Sequence, residues 1–157
     1  MKYKKLFENE NLENILQSSE VKNFIKGSKM IKDNKPMIFY HGSKSDFKKF
    51  DKNKIGSETD AGFLGSGFYF YTVYNEAAQY GKVKAFLLNI KKPYYIKQTE
   101  LEKLSKANSN KVSKKFTKDL IAKGYDGVYD NSLNRGETVV FNTKQIFYLD
   151  IDAFEIY

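Results

Sequence analysis

Apolar residues fall at three- and four-residue steps near the start of the chain: Leu12, Ile15 and Leu16, then Val21, Phe24 and Ile25. That spacing predicts one or two short helices within residues 1–36, with Gly27 as a stop. Pro36 then introduces Met37-Ile-Phe-Tyr-His41, a run of β-forming residues that reads as the first strand of the main domain. Residues 44–66 read as loop, anchored by Phe47 and Phe50 and turning at Gly56, Gly62 and Gly65. Gly67 to Tyr71 is a second strand, and a short helix through Glu76 to Tyr80 follows it, with Gly81 as its cap. Val83 to Ile90 is a third strand, closed by Lys91-Lys-Pro93. Thr99-Glu-Leu-Glu102 matches a capping box and opens a helix that breaks near residues 108–110. Val112, Phe116 and Leu120 lie one turn apart and predict another over 111–123, stopped by Gly124. Three β runs, 125–129, 137–141 and 145–151, complete the pattern. Strands outnumber helices without regular alternation or internal repeat, which predicts an α+β fold with a mainly antiparallel core. The expected organisation is a helical extension over 1–36 and one domain over 37–157.

Composition narrows the chemistry. The chain has no cysteine and one histidine, so the usual zinc, iron–sulfur and thiolate-nucleophile sites are excluded. The net charge of +8 would attract nucleic acid, an acidic protein or an anionic dinucleotide. Lysine dominates the basic set, however, and Arg135 is the only arginine. A solvated lysine surface is therefore favoured over a nucleic-acid groove, because phosphate readers lean on arginine forks. The first residues lack an apolar signal core and no later stretch approaches a membrane span. A monomer acting in a cytosol, without membrane contact, is the expectation.

Three fragments place unusual groups on or beside predicted strands: Tyr40-His-Gly-Ser43, Gly65-Ser-Gly-Phe-Tyr-Phe70 and Glu137-Thr-Val-Val-Phe141. The second is not a dinucleotide-binding glycine loop, since its strand comes after the glycines rather than before them. Together, in this order, the fragments resemble the poly(ADP-ribose) polymerase and diphtheria-toxin branch of the ADP-ribosyltransferases. The signature of that branch is a histidine, a tyrosine and a glutamate on three separate strands. The resemblance runs from Ile38 to about Leu149. The endings Gly124-Tyr-Asp-Gly-Val128 and Val139-Val-Phe-Asn-x-x-Gln-Ile146 look closest to domains carried by phages and mobile elements.

The resemblance implies a split, mainly antiparallel sheet with short flanking helices, NAD as co-substrate and no metal. It implies a catalytic set of Glu137, His41 and Tyr69. Glu137 would stabilise the oxocarbenium-like state formed when nicotinamide leaves the ribose. His41 would bond the adenosine ribose and the Gly42 backbone the nicotinamide amide, with Ser43 and Gly67 among the NAD contacts. Tyr69 and Tyr80 would sandwich the nicotinamide ring. Two residues before Glu137, where arginine-modifying relatives carry Glu or Gln, stands Arg135. Arginine is thus a less expected acceptor, and Arg135, in the loop 130–136, is a candidate for target recognition. The leading residues leave no room for a regulatory helical domain, which favours mono-ADP-ribosylation of a macromolecule, protein rather than nucleic acid, as by a phage or mobile-element effector or toxin. The rivals are an NAD glycohydrolase, a silent module that binds NAD, ADP-ribose or nucleic acid, and a basic structural protein. Each residue also has a plainer reading: His41 as a strand-end histidine, Tyr69 and Tyr80 as core rings, Ser43 as a turn former.

Overall fold

The computed structural model describes residues 11–45, 50, 64–107, 109–130 and 136–156. Residues 11–16 are helical, and α1 (Ser19–Ile25) follows, its N-terminus capped by Ser18 Oγ accepting from Val21 N. Gly27, at φ +82°, ends it as its sequence position foretold. The stretch to Pro36 then holds a two-stranded hairpin, β1 (Ile31–Lys32) with β2 (Lys35–Pro36). Asp33 and Asn34 both have positive φ, the backbone demanded by a tight hairpin turn and tolerated best by these side chains.

Two sheets form the centre. The first is antiparallel throughout: β3 (Phe39–Ser43), β5 (Lys82–Leu88) and β9 (Ile146–Leu149), in the order β3-β5-β9. The second comprises β4 (Phe68–Phe70), β8 (Glu137–Val140), β7 (Gly127–Asp130) and β6 (Pro93–Tyr95), in the order β4-β8-β7-β6. Among the described residues only β6 and β7 pair in parallel, and their crossover carries α3 (Gln98–Ala107) and α4 (Asn110–Ala122). α2 (Tyr74–Ala78) lies between β4 and β5, and α5 (Ala153–Ile156) ends the described chain. The α+β class and the split, mainly antiparallel core are as expected. β6 and the β1–β2 hairpin are additions to the sequence reading, and the strands there called 37–41 and 83–90 run instead over 39–43 and 82–88. Among the described residues, no helix is long and apolar enough to cross a membrane.

Strand alternation sorts the apolar side chains into three layers. Phe39, Phe68, Phe70, Phe86, Leu88, Ile90 and Val140 fill the space between the sheets. Tyr40, Ala85, Leu87 and Leu149 face the other way, toward Val21 of α1 and Ala77 of α2. Val128 and Val139 meet Leu101 of α3 and Leu120 of α4. β8 is buried on both faces, which is why its sequence reads as a continuous apolar run after Glu137.

Polar side chains pin the joints. Gln145 Nε2 donates to the carbonyls of Asn89 (3.1 Å) and Asp126 (2.7 Å), and its Oε1 accepts from the amides of Phe141 and Asn142. The Asp126 carboxylate accepts from the amides of Lys91 and Lys92. Gly127 stands so close to Ile90 and the Val139 carbonyl that a Cβ would lie 2.9 Å from each. The endings that carried the resemblance are therefore explained by architecture: they tie β5, β7, β8 and β9 into one register.

The N-terminal segment is docked on this frame. Val21 is fully buried; Ser28 Oγ donates to Leu88 O (3.0 Å), Lys29 N to Ile90 O (2.7 Å) and Asn89 Nδ2 to Phe24 O (2.7 Å).

Candidate active site

The backbones of the two sheets meet beside the start of β8. Tyr40 N donates to Tyr71 O (2.7 Å) and Tyr71 N to Tyr40 O (2.8 Å), an isolated antiparallel bridge between β3 and the end of β4. One residue further along β3, the backbone ladder gives way to a side chain: His41 Nδ1 lies 2.6 Å from Tyr69 O. A carbonyl only accepts, so Nδ1 carries the proton, and in the neutral ring Nε2 is the acceptor nitrogen. The imidazole is held edge-on to Phe50 (ring centroids 4.9 Å apart), with Phe70 and Phe86 beyond.

Gly42 follows, and a Cβ there would lie 1.8 Å from the Ala77 carbonyl oxygen at the end of α2. The close approach of α2 thus requires glycine before any ligand is considered. Ser43 is buried, and its Oγ accepts from Ser45 N at 3.1 Å, a turn-forming bond.

Glu137 opens β8 with only 6% of its surface exposed. One step beyond the last β4–β8 pair, Phe70↔Thr138, Tyr71 comes level with it, and Tyr71 Oη lies 3.4 Å from Glu137 Oε1. Tyr71 Oη also lies 3.2 Å from Tyr80 Oη, and the two rings are near parallel, 13° apart in plane with centroids 5.8 Å apart. On the other side of Glu137, its ladder partner Asp130 is a second buried acid. The turn into β8 is made by Gly136 at φ +59°, packed so tightly on Thr72 that a Cβ would lie 1.8 Å from Thr72 Oγ1. Residues 71–72 therefore grip residues 136–137 through both backbone and side chain.

The structure brings His41, Gly42, Tyr80 and Glu137 to the seam between the sheets, but it corrects the expected ring pair. Tyr69 does not face Tyr80. Its ring lies among Leu64, Leu120, Val128 and Val139 under the helices, where Oη donates to Gly65 O (2.5 Å) and accepts from Leu64 N (3.0 Å). The physical reason is register: Tyr69 sits opposite Val139, whose outward face is covered by α3 and α4. Tyr69 touches the seam through its carbonyl, and Tyr71 supplies the ring. Gly67 likewise has a packing reason, because a Cβ there would lie 2.5 Å from Val140 O. Arg135 lies outside the described residues.

Sequence reading missed Tyr71, although a signal was present. It follows Tyr69 by two residues, so strand period alone puts both on the Glu137 side of β4. The run of four consecutive aromatics hid the distinction between them.

A family model described as ADP-ribosyltransferase in polyvalent proteins matches residues 32–151. A comparison with curated proteins gives no match.

Proposed function

Because this chain belongs to the family of ADP-ribosyltransferases in polyvalent proteins, we propose that it cleaves NAD at the nicotinamide–ribose bond and transfers a single ADP-ribose to a macromolecular acceptor. The observation that carries the reading is Glu137: a buried carboxylate at the head of β8, facing a pair of stacked phenols at the seam where the sheets part.

The chemistry follows from that carboxylate. As the bond from ribose C1′ to the pyridinium nitrogen breaks, its electron pair leaves with nicotinamide and positive charge develops on the sugar. A fixed anion beside the ribose lowers the energy of that state, as in glycoside hydrolysis. An acceptor nucleophile then forms a bond to C1′ and gives up its proton to the Glu137 carboxylate. His41, with its proton held at Nδ1, presents Nε2 to the adenosine ribose, and the backbone of Gly42 meets the nicotinamide amide. A ring sandwiched between two others needs about 7 Å, two contacts of about 3.5 Å. Tyr71 and Tyr80 stand closer than this, so a nicotinamide ring entering between them would part them.

The acceptor is taken to be a protein, with Arg135, two residues before Glu137 in the sequence, reading it. Resemblance to domains of mobile elements supports a role as an effector acting in a host cytosol. NAD labelled in its adenylate half tests transfer: incubated with the protein and a cell lysate, it should label a macromolecule. Free ADP-ribose as the sole labelled product would replace the proposal with an NAD glycohydrolase. NAD binding without turnover would leave a binding module.

A further inference from the structure

Tyr71 is buried to 3% exposure, yet its hydroxyl is not accounted for by packing, since phenylalanine would fill the same volume. The backbone of Tyr71 is fixed by the double bond to Tyr40, and the next residue, Thr72, closes on Gly136. These restraints direct the phenol between Tyr80 and Glu137. Resting on the transferase reading above, we propose that Tyr71 is the positioning residue of Glu137: its hydroxyl sets the carboxylate rotamer through Oε1.

Hydrogen accounting supports a directional chain. An ionised carboxylate only accepts, so the Tyr71 proton points to Glu137, and the hydroxyl of Tyr80, free to rotate, donates to Tyr71. Both O···O distances, 3.2 and 3.4 Å, are longer than a tight O–H···O bond of about 2.7 Å. Such slack is expected of a site that tightens on its substrate. A ring that parts the stack would take from Tyr71 the hydrogen bond it accepts from Tyr80, while its own donation to Glu137 stays. Tyr69, two residues earlier, turns its hydroxyl the other way, donating to Gly65 O and accepting from Leu64 N.

The test is steady-state nicotinamide release by wild type, Tyr71→Phe, Glu137→Gln and the double variant, with melting temperatures measured alongside. Tyr71→Phe keeps the ring, so it should melt as wild type does and hold KM for NAD within about twofold, while kcat falls roughly tenfold, the scale of one hydrogen bond to a charged group. Because the effect runs through Glu137, adding Tyr71→Phe to Glu137→Gln should cost nothing further in residual rate. A Tyr71→Phe enzyme with wild-type kcat would overturn the proposal, as would a loss that repeats in full in the Glu137→Gln background. Either result leaves the transferase reading standing. Absence of release by the wild type overturns that reading and this proposal together.

Discussion

A methyl group at position 42 would stand 1.8 Å from a backbone oxygen that has nowhere to go, because Ala77 is itself fully buried. Gly42→Ala should therefore destabilise the fold by about 3 kcal/mol or more, the range of mutations that force overpacking. Equilibrium denaturation measures this, and a change under about 0.5 kcal/mol, the level of an inert surface substitution, would contradict the packing account. Tyr69→Phe should cost about 1–3 kcal/mol, because it leaves the buried Leu64 amide without its acceptor. It should spare kcat, in contrast to Tyr71→Phe, and kinetics on the two variants side by side would check it. At this scale the sequence was partly legible. His41, Gly42, Tyr80 and Glu137 could be singled out because polar or glycine positions at strand ends, in a fixed order, match a known signature. The direction of Tyr69 could not, since it depends on which face of β8 the helices cover, a property of tertiary packing.

Among elements, the long periodic segments were the readable ones. α4 follows from Val112, Phe116 and Leu120, and β8 from its unbroken apolar run. β6 was not legible: three residues opened by a proline carry too little pattern, and their strand exists because β7 offers a parallel edge. The β1–β2 hairpin was hidden for a related reason, since Asp33-Asn34 flanked by lysines has no apolar alternation to mark it. The joint at Gln145 belongs to this scale as well. Gln145→Ala removes four hydrogen bonds, two that hold the β8–β9 turn to the carbonyls of Asn89 and Asp126 and two to the amides of Phe141 and Asn142 within the turn. A loss of about 2–4 kcal/mol is expected, since part-buried backbone groups lose their partners. Urea melts should show an earlier midpoint with an unchanged slope; an unchanged midpoint would refute the joint.

For the molecule as a whole, two tyrosines predict the alkaline limit of stability, Tyr40 at the seam and Tyr94 under the helices. Tyr94 is pushed up to about 12, first by its hydrogen bond to Glu100 and then by burial, and Tyr40 is pushed up to about 12 by burial and then by Tyr74. A raised phenol favours the protonated, folded form, so this stabilisation is whole below the ordinary tyrosine value near 10 and is lost as pH rises toward 12. Melting temperature should fall through that window, and less steeply in Tyr94→Phe; a flat profile would contradict it. The two sheets bridge at Tyr40 and Tyr71 beside Glu137, and the proposed function stands or falls with that carboxylate. The most direct measurement is nicotinamide release from NAD by the purified protein beside Glu137→Gln. Release by the wild type is expected, with a loss of roughly 100-fold or more in the variant, the scale of removing one preorganised electrostatic group. Equal release by the two proteins, or none from either, would contradict it.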